Sequence, residues 1–553
     1  MHAAGVVIAP ESVTKFAPIQ PDPKGGKTIT QYDMYSICDE YGGVGLLKFD
    51  FLGLTNLSVL ADSVQRVKTR LGVDIDLERI PQDDKKVYDM LSRGETLGVF
   101  QMAGSGMTAY LKDLKPTVVT DLNAMVALYR PGPMAFIPEY IERKKNPAKV
   151  AYLDPRMEEI LKPTYGILIY QDDVMMIAVQ LAGYSWGDAD KFRKAMGKKI
   201  PAEMAAQKER FTAGCLEHGM KPIATKNLWE QIETFAAYGF NKSHAASYGN
   251  LAYKTAYMKA NFPVYYMAAV LTADAGDVEK ISETVAECTR IGIKVWPPSV
   301  NESGGNFTVI DNSNIRFGLY SIKNFGTGVG DSIVAAREGR LPAGRRGKLE
   351  SVDDFLSRIP DKNLNKKSLE ALIMSGALDE FGERGQLAAN IETLLTYHRE
   401  HIKAPSNQSS LFSSTMLGTS GKAPLRLQPA APATMDQKLT WEKELLGLYI
   451  SGHPLDKHKD KLKNQKTTIK HAKEKLKGVE TVIAGFIESS QSILTKNGEK
   501  MAFLKLTDLS GDIEVVAFPR VLKENEKILA AGTCVMLKGR ISDRNGQPSF
   551  VAE

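Results

Sequence analysis

The chain has little cysteine and no long hydrophobic run. Its 553 residues include only four cysteines. These lie far apart and form no Cys-x-x-Cys pair, so neither a disulfide framework nor a zinc site is indicated. No stretch of about 18 consecutive apolar residues occurs, and the start carries no charged signal-peptide region. These absences favour a cytoplasmic protein without a membrane partner. The cysteines are Cys38, Cys215, Cys288 and Cys534.

Apolar and charged residues are both plentiful. Hydrophobic residues make up 43% of the sequence, which at this length suits roughly three to five domains. The 71 basic and 65 acidic residues leave a net charge of +6, too small to identify a partner. Residues 457–477, however, hold nine lysines against two acids. This basic segment favours a polyanionic partner, although a solvated connecting helix fits the same residues.

Both ends of the sequence are abrupt. Residues 3–9 (AAGVVIA) predict a buried strand with no lead-in, and the final residues 550–553 (FVAE) stop equally suddenly. We therefore expect the chain to be cut from something longer.

One carboxylate and one ammonium lie inside the apolar run 46–54, LLKFDFLGL. In a strand, the period of two places Lys48 and Asp50 together on one face and the apolar residues on the other. Charge in an apolar stretch is costly without a partner. We therefore interpret Asp50 as a metal ligand and Lys48 as a neighbouring phosphate contact. An ion pair at the rim of a sheet is the alternative.

A largely helical region follows. Apolar residues recur at helical spacing after Thr55, which can cap a helix that ends at Gly72. From about 85 to 330, amphipathic helical segments alternate with Gly and Pro, and β-patterns are few. Residues 323–330 (KNFGTGVG) and 372–378 (LIMSGAL) have the tight Gly turns of helix-hairpin-helix units.

Five cations and no acid lie within residues 191–199. On a helix, Lys191, Lys194 and Lys198 share one face, with Arg193 on its flank. Like charges repel unless an anion lies between them, so we interpret this cluster as a triphosphate clamp. A solvated helix face is the alternative. The candidate residues are Arg193, Lys194, Lys198 and Lys199.

The turn at 239–248, GFNKSHAASY, combines an amide, a cation, hydroxyls and an imidazole beside aromatics. That mixture suits contacts with sugar, phosphate and base. We give His244 a binding role rather than a proton-transfer role. Gln101 and Arg130 are further candidates, and each could equally be a buried side chain that satisfies nearby carbonyls. The candidates in the turn are Asn241, Lys242, Ser243 and His244.

The last part of the chain changes character twice. Residues 404–436 lose periodicity and fill with Ser, Pro, Ala and Gly, which predicts a linker. Within it, the peptide 408–412 (QSSLF) would expose two large apolar side chains, so we interpret it as an anchor. From about 478, alternating strands predict a small β-barrel. Its predicted turns are Asn497–Gly498, Ser510–Gly511 and Asn545–Gly546.

Eight segments together resemble motifs of the C-family DNA polymerases, the bacterial DNA polymerase III alpha subunits, in that family's order and over nearly the whole chain. They are KFDFLGL, FQMAGSGM, ALYRPGP, YGILIYQDDVM, FRKAMGKK, FNKSHAASY, LIMSGALD and ELLGLYISGHPLD. The resemblance implies a multidomain α+β fold. Its implied parts are a palm remnant (1–54), mostly α-helical fingers (55–330), the helix-hairpin-helix part of a clamp-binding region (331–403), a linker with a clamp peptide and the basic segment (404–477), and a truncated OB-fold domain (478–553).

The resemblance also implies template-directed DNA synthesis, in which a primer 3′-hydroxyl attacks the α-phosphate of a deoxynucleoside triphosphate at two Mg²⁺ ions. Asp50 then corresponds to the third of three palm aspartates and Lys48 to a triphosphate contact. The pair Arg193–Lys194 and the turn at 241–244 match the fingers surface that grips the nucleotide. The family usually has two adjacent basic residues at the first of these sites, and Lys194 keeps the charge while giving up a planar fork.

The family's other two aspartates lie upstream in a D-x-D strand, and no such pair precedes Asp50 here. Because a two-metal mechanism needs carboxylates that bridge both ions, we expect this chain to be inactive alone. It matches a carboxy-terminal portion without the PHP domain, the thumb and most of the palm. One alternative is a non-catalytic DNA- and clamp-binding remnant. Another is the error-prone lesion-bypass paralogue, against which the QSSLF peptide argues because those relatives generally lack a good clamp peptide.

The implied partners are primer–template DNA, deoxynucleoside triphosphates, the sliding clamp, and the clamp loader with other replicase subunits. The clamp peptide is carried by Gln408, Leu411 and Phe412. Glycines of the hairpins fit backbone contacts to phosphate without sequence preference, and the OB-type strands fit single-stranded template. The hairpin glycines are Gly326, Gly328 and Gly376.

Overall fold

The computed structural model divides the chain into two compact units, Met1–Ala273 and Asp274–Glu553. Helices dominate the first unit, and the second combines helices with a closed β-barrel. The predicted α+β fold class is thus confirmed. The described residues are 5–23, 25–38, 42–198, 201–236, 239–339, 347–359, 364–403, 425–462, 467–476, 478–495, 497–508, 510–544 and 547–553.

The first unit begins with two small antiparallel sheets. β1 (Gly5–Ile8) pairs with β4 (Leu47–Asp50), and β2 (Ile19–Pro21) pairs with β3 (Thr28–Thr30). The strand predicted around Asp50 is therefore confirmed. The buried strand predicted near the start is wrong in its burial, because Val6 and Ile8 are almost half exposed. This two-stranded sheet leaves one apolar face in solvent.

Helices make up most of the rest of this unit. They are α1 (Met34–Ile37), α2 (Thr55–Leu71), α3 (Lys85–Ser92), α4 (Ser105–Leu114), α5 (Val119–Leu128), α6 (Ile137–Lys145), α7 (Met157–Leu161), α8 (Gln171–Ala182), α9 (Trp186–Lys198), α10 (Pro201–Glu217), α11 (Pro222–Ala236), α12 (Lys242–Asn261) and α13 (Pro263–Ala273). Gly72 ends α2 in the left-handed region, as predicted, but Thr55 is not its cap. Thr55 is the first helical residue, and Leu54 before it has no side chain that could accept a hydrogen bond.

Two apolar cores organise these helices. In the first, α12 packs against α5 and α3, and its Ala245, Ala252 and Tyr253 side chains are fully buried. The second is built from α7 to α11 around stacked rings of Phe192 and Trp229, with centroids 5.8 Å apart. After α7 the chain contributes residues from 167–170 to the first core, crosses to the second just before α8 and returns just before α12. These two crossings therefore lie side by side, and Tyr170 and Phe240 form a β-bridge there.

The second unit opens with α14 (Val278–Arg290) and a small sheet of order β5-β7-β6. Its strands are β5 (Lys294–Trp296), β6 (Thr308–Asp311) and β7 (Asn314–Arg316). The helices that follow are α15 (Thr327–Glu338), α16 (Val352–Arg358), α17 (Lys366–Met374), α18 (Arg384–Ala389), α19 (Ile391–Lys403), α20 (Met435–Leu446), α21 (Lys459–Leu462) and α22 (Ile469–Lys475).

The barrel closes in the order β10-β12-β11-β8-β9. Its interior is filled by alternate residues of each strand, such as Ile487, Leu504 and Val515. The closed strand order confirms the predicted barrel. The turns predicted at Asn497–Gly498 and Ser510–Gly511 fall where one strand passes to the next, and Asn545–Gly546 lies outside the described residues. The elements are β8 (Glu480–Leu494), β9 (Lys500–Asp508), β10 (Gly511–Ala517), α23 (Pro519–Asn525), β11 (Cys534–Arg544) and β12 (Gln547–Ala552).

Of the helices in the described ranges, none is both long enough and apolar enough to cross a bilayer.

Candidate nucleotide-binding site

Lys48 and Asp50 are neighbours on one face of β4. The Lys48 Nζ lies 2.6 Å from the Asp50 Oδ1, and the Lys48 side chain is mostly buried. The period-two reading of this strand is therefore correct, and the ion pair named as its alternative is present. The described residues contain no group of three or more His, Cys, Asp or Glu side chains placed to hold a metal ion. The Asp50 carboxylate is observed in its ion pair with Lys48.

The cations of α9 have an acidic neighbour. The Arg193 Nε and Nη2 donate to Asp190 at 3.0 and 2.8 Å, and the Lys194 Nζ lies 2.9 Å from the same carboxylate. These bonds, from Lys194 first and Arg193 second, lower the pKa of Asp190. Asp190 lies immediately before residues 191–199, which themselves contain five cations and no acid. Asp190 precedes Arg193 by three positions and Lys194 by four, which is the spacing of a helical ion pair.

Burial orients α9 so that these cations face outward. Phe192, Ala195 and Met196 are buried in the second core, whereas the Lys194 side chain is 60% exposed and that of Arg193 is 36% exposed. An anion in solution can reach both groups, although it would share them with Asp190. Lys199 lies outside the described residues, as does the side chain of Lys198.

The turn before α12 is held by its own side chains. Asn241 caps the helix, and its Oδ1 accepts the His244 backbone N–H at 2.8 Å and the Ser243 hydroxyl at 2.6 Å. An N-cap of this kind satisfies a backbone donor that the helix leaves unpaired. The His244 ring lies 4.1 Å from the Tyr248 ring and 5.4 Å from the Phe240 ring. His244 is thus placed as an aromatic contact.

Two carboxylates at the start of α8 hold this turn. Asp172 accepts the backbone N–H of Lys242 at 2.9 Å, and Asp173 accepts its Nζ at 2.9 Å. The Asp173 side chain is fully buried. Burial raises the pKa of Asp173 to about 6, against the opposing effect of Lys242. We did not select either aspartate from the sequence, although the segment YQDDVM places two acids together at a helix start.

Gln101 and Arg130 lie close to the same turn. The Arg130 guanidinium lies 4.2 Å from the centre of the Phe240 ring, and its Nε donates to the Ala127 carbonyl at 3.1 Å. Burial lowers the pKa of Arg130. Gln101 is exposed and adopts the left-handed region, with φ of +61°. It follows Phe100, whose ring lies 5.1 Å from Tyr248.

These contacts define a group of rings that we call the aromatic cluster: Phe100, Phe240, His244 and Tyr248. His244 is exposed, Phe240 and Tyr248 are half-buried, and Phe100 is buried. The structure brings Gln101, Arg130 and the turn residues together around it. The ion pair of Asp50 is with Lys48, and the ion pairs of Arg193 and Lys194 are with Asp190. A ligand that contacted Asp50, the Arg193–Lys194 pair and the aromatic cluster would have to extend from one of these groups to the next.

The remaining candidates lie in the second unit. Gly326 precedes α15 with open space where a Cβ would stand, and Gly328 lies in the first turn of that helix. Gly376 follows α17 with φ of +86° and lies against the Arg384 guanidinium. The clamp-peptide residues Gln408, Leu411 and Phe412 lie outside the described residues.

Several lysines of the basic segment 457–477 are already engaged. Lys457 forms an ion pair with Asp436, and Lys459 pairs with Asp456 at 3.0 Å. The Lys473 Nζ donates to the Asp512 carbonyl at 2.7 Å. The two ion pairs reduce the net charge that this segment offers to a polyanion, and the third bond restricts the Lys473 side chain.

Four family models match the chain in sequence order. Residues 1–53 match the bacterial DNA polymerase III alpha NTPase domain, and residues 56–219 match the bacterial DNA polymerase III alpha subunit finger domain. Residues 292–387 match a helix-hairpin-helix motif, and residues 481–553 match an OB-fold nucleic acid binding domain. The helical fingers, the helix-hairpin-helix region and the OB-type barrel expected from the sequence are thus present.

Curated relatives match over nearly the whole chain. The DNA polymerase III subunit alpha of Thermus aquaticus is 42% identical over 530 residues, which are 94% of this chain and 42% of the relative. That of Deinococcus radiodurans is 39% identical across 100% of this chain and 42% of the relative, and that of Bacillus subtilis is 37% identical across 100% and 48%. The chain spans less than half the length of these relatives. It belongs to the family of the bacterial DNA polymerase III alpha subunits.

Proposed function

We propose that the chain takes part in template-directed DNA synthesis, as the portion of a replicative DNA polymerase that binds the incoming deoxynucleoside triphosphate and the DNA. The observation that carries this proposal is the similarity to DNA polymerase III alpha subunits along almost the full chain, at 37–42% identity for three of them. The arrangement of the fingers residues supports it, because cations and an aromatic surface suit the phosphates and base of a nucleotide.

In this proposal different fingers residues bind different parts of the nucleotide. Arg193 and Lys194 bind the triphosphate, and Lys198 and Lys199 add charge. Lys242, the hydroxyl of Ser243 and the aromatic cluster contact the sugar and base, while Arg130 and Gln101 border them. The Asn241 cap keeps the turn in the shape that presents these groups.

Asp50 serves as one ligand of a Mg²⁺ pair, and Lys48 beside it contacts phosphate. Two metal ions, when bound, activate the primer hydroxyl and stabilise the leaving pyrophosphate. One carboxylate alone cannot hold two ions, so we expect the other ligands to come from further residues and this chain alone not to polymerise. Primer–template DNA would lie along the hairpin glycines and the barrel, and the QSSLF peptide would bind a sliding clamp that other replicase subunits load.

Triphosphate binding to the purified chain tests whether Arg193 and Lys194 contact the nucleotide. The double variant Arg193→Ala with Lys194→Ala removes two charge-assisted contacts, so we expect the affinity to fall at least tenfold. Fluorescence anisotropy with a labelled deoxynucleoside triphosphate measures this. The matched control is Lys208→Ala with Lys226→Ala, which removes two exposed lysines from α10 and α11. Equal affinity of both double variants would remove Arg193 and Lys194 from the proposed site.

A further inference from the structure

The small sheet β5-β7-β6 exposes one of its faces. Trp296 is the parallel partner of Arg316, and Lys294 is the partner of Asn314. Because alternate residues of a strand share a face, these four side chains project from the same side. Ile315, between the two β7 partners, is fully buried on the opposite side. The exposed face is thus polar around one large aromatic ring, and it carries the cations Lys294 and Arg316 beside the carboxylates of Asp311 and Glu302.

The Trp296 ring is held in a fixed orientation. Its indole N–H donates to the Asn314 Oδ1 at 2.8 Å, and the Asn314 Nδ2 donates to both Asp311 oxygens at 2.9 and 2.7 Å. The ring nevertheless remains 43% exposed. Its polar atom is therefore already satisfied, and what the ring offers a ligand is apolar π-surface. A side chain that is already ordered loses little entropy when a ligand binds it.

Two cations flank the ring. The Lys294 Nζ lies 5.9 Å and the Arg316 Cζ lies 5.7 Å from its centre. Arg316 is engaged, because its Nε bonds Glu302 at 2.5 Å and its Nη1 donates to the Pro297 carbonyl. Lys294 is exposed and makes no ion pair with any residue that the structure describes. Its charge is available to an anion beside the ring.

We propose that Trp296 is a stacking platform for a base of single-stranded nucleic acid, with Lys294 bound to an adjacent phosphate. Every base has a π-face, and aromatic side chains beside cations bind single strands without sequence preference. A duplex keeps its base faces stacked inside, so it cannot use the ring in this way. An apolar peptide would bind the ring but would leave the Lys294 charge unused. The residues of this platform are on β5 and β7 and are distinct from the hairpin glycines and the barrel strands proposed above as DNA contacts.

Crosslinking of the whole chain tests where a single strand lies. The probe is a thymidine oligonucleotide of about ten nucleotides with one 5-iodouracil, irradiated on the intact chain and mapped by mass spectrometry. We expect a crosslink to Trp296 that Trp296→Ala abolishes. A crosslink map without the peptide around Trp296 would overturn the proposal.

Binding affinities test the chemistry of the contact. Against the same oligonucleotide, Trp296→Ala should weaken binding at least fivefold and Trp296→Phe less than threefold. Against an abasic strand of equal length, wild type and Trp296→Ala should bind alike, since no base can stack. Lys294→Ala should weaken binding of both strands, whereas Lys280→Ala, an exposed lysine of α14 paired with Asp277, should change neither.

Two results would contradict the proposal that Trp296 stacks on a base. One is wild-type affinity in Trp296→Ala, and the other is an equal loss against the thymidine and abasic strands. Trp296→Phe and Lys294→Ala keep the test decisive if Trp296→Ala fails to fold, because neither removes the aromatic ring. None of these readouts depends on triphosphate binding, so they remain informative if the proposed polymerase role is wrong.

Discussion

Asp173 is a buried carboxylate whose charge has one cationic partner. Its Oδ1 accepts from Lys242, while its Oδ2 has no hydrogen-bond partner among the residues described. Tyr170 and Asp172 also face it, and the charge of Asp172 opposes its ionisation. Desolvation therefore outweighs the ion pair, and the pKa of Asp173 rises to about 6.

This raised pKa predicts a pH-dependent stability. Between the usual pKa of Asp and about 6 the folded chain binds more protons at Asp173 than the unfolded chain does. The stabilising contribution of Asp173 is therefore complete at low pH and is lost as the pH rises through about 6. We expect the free energy of unfolding of wild type, relative to Asp173→Asn, to fall by about 2–3 kcal/mol from pH 4 to pH 7. Urea unfolding at several pH values measures this difference.

Lys242→Gln supplies the control for Asp173. Without the ammonium the carboxylate should hold its proton to still higher pH, so the midpoint of the pH effect should move upward. A difference between wild type and Asp173→Asn that stays constant with pH would contradict the assignment. The sequence indicates Lys242 as a binding residue because of its charge. In the structure, the Lys242 ammonium is already paired with the buried carboxylate of Asp173.

At the scale of elements, the start of α12 depends on one cap. Asn241→Ala removes the acceptor for the His244 N–H and for the Ser243 hydroxyl. We expect a loss of about 1 kcal/mol in the free energy of unfolding of the first unit. Asn241→Asp keeps an acceptor at the same place and should retain most of the stability. Chemical denaturation of both variants, followed by circular dichroism, distinguishes a cap from a side chain that matters only for binding.

A buried ion pair joins α18 to α20. The Arg384 Nη1 bonds the Glu442 Oε1 at 2.9 Å, and both side chains are almost completely buried. The Glu442 Oε2 accepts the backbone N–H groups of Ile450 and Ser451, each at 2.9 Å. This carboxylate therefore orders the chain beyond the end of α20 as well as the contact between the two helices.

Removal of Glu442 should be costly. Glu442→Ala leaves the Arg384 charge buried with Asp379 as its one remaining carboxylate partner among the residues described, so we expect a loss of about 3–5 kcal/mol in the free energy of unfolding of the second unit. Glu392→Ala breaks an ion pair with Lys366 that is more than half exposed, and should change stability by less than about 1 kcal/mol. Urea denaturation of the two variants compares them directly. Similar losses would show that the buried pair is no more important than the surface pair.

At the scale of the whole molecule, the β1–β4 sheet exposes an unusual apolar surface. Val6, Ile8, Leu47 and Phe49 share one face of the sheet, and Phe51 and Leu52 beyond it are 65% and 77% exposed. Contiguous apolar surface of this kind favours association. The strand was predicted to have an apolar face, and its exposure became visible only in the folded chain.

We expect this surface to make the chain associate at high concentration. The double variant Phe51→Ser with Leu52→Ser should raise the concentration at which sedimentation velocity detects association. Ile223→Ser, which removes an isolated side chain that is 76% exposed on α11, should leave it unchanged. Association that is equal in all three proteins would assign it to another surface.

The domain boundaries predicted at 54, 330, 403 and 477 stay a prediction. The structure divides the chain after Ala273, a boundary that no shift in composition marks. The short strands β5 to β7 were also missed, because three or four residues are too few to show a period of two clearly.

Contacts between near neighbours followed from the sequence pattern. Alternation placed Lys48 beside Asp50, helical spacing located α9, and the Gly-containing turns located the barrel strands. Contacts between remote residues became visible only in the folded chain. Asp173 meets Lys242 across 69 positions, and Phe100 meets Tyr248 across the first core. Local patterns follow from backbone geometry that repeats every two or 3.6 residues, whereas these pairs form because two separate cores pack and bring remote segments together.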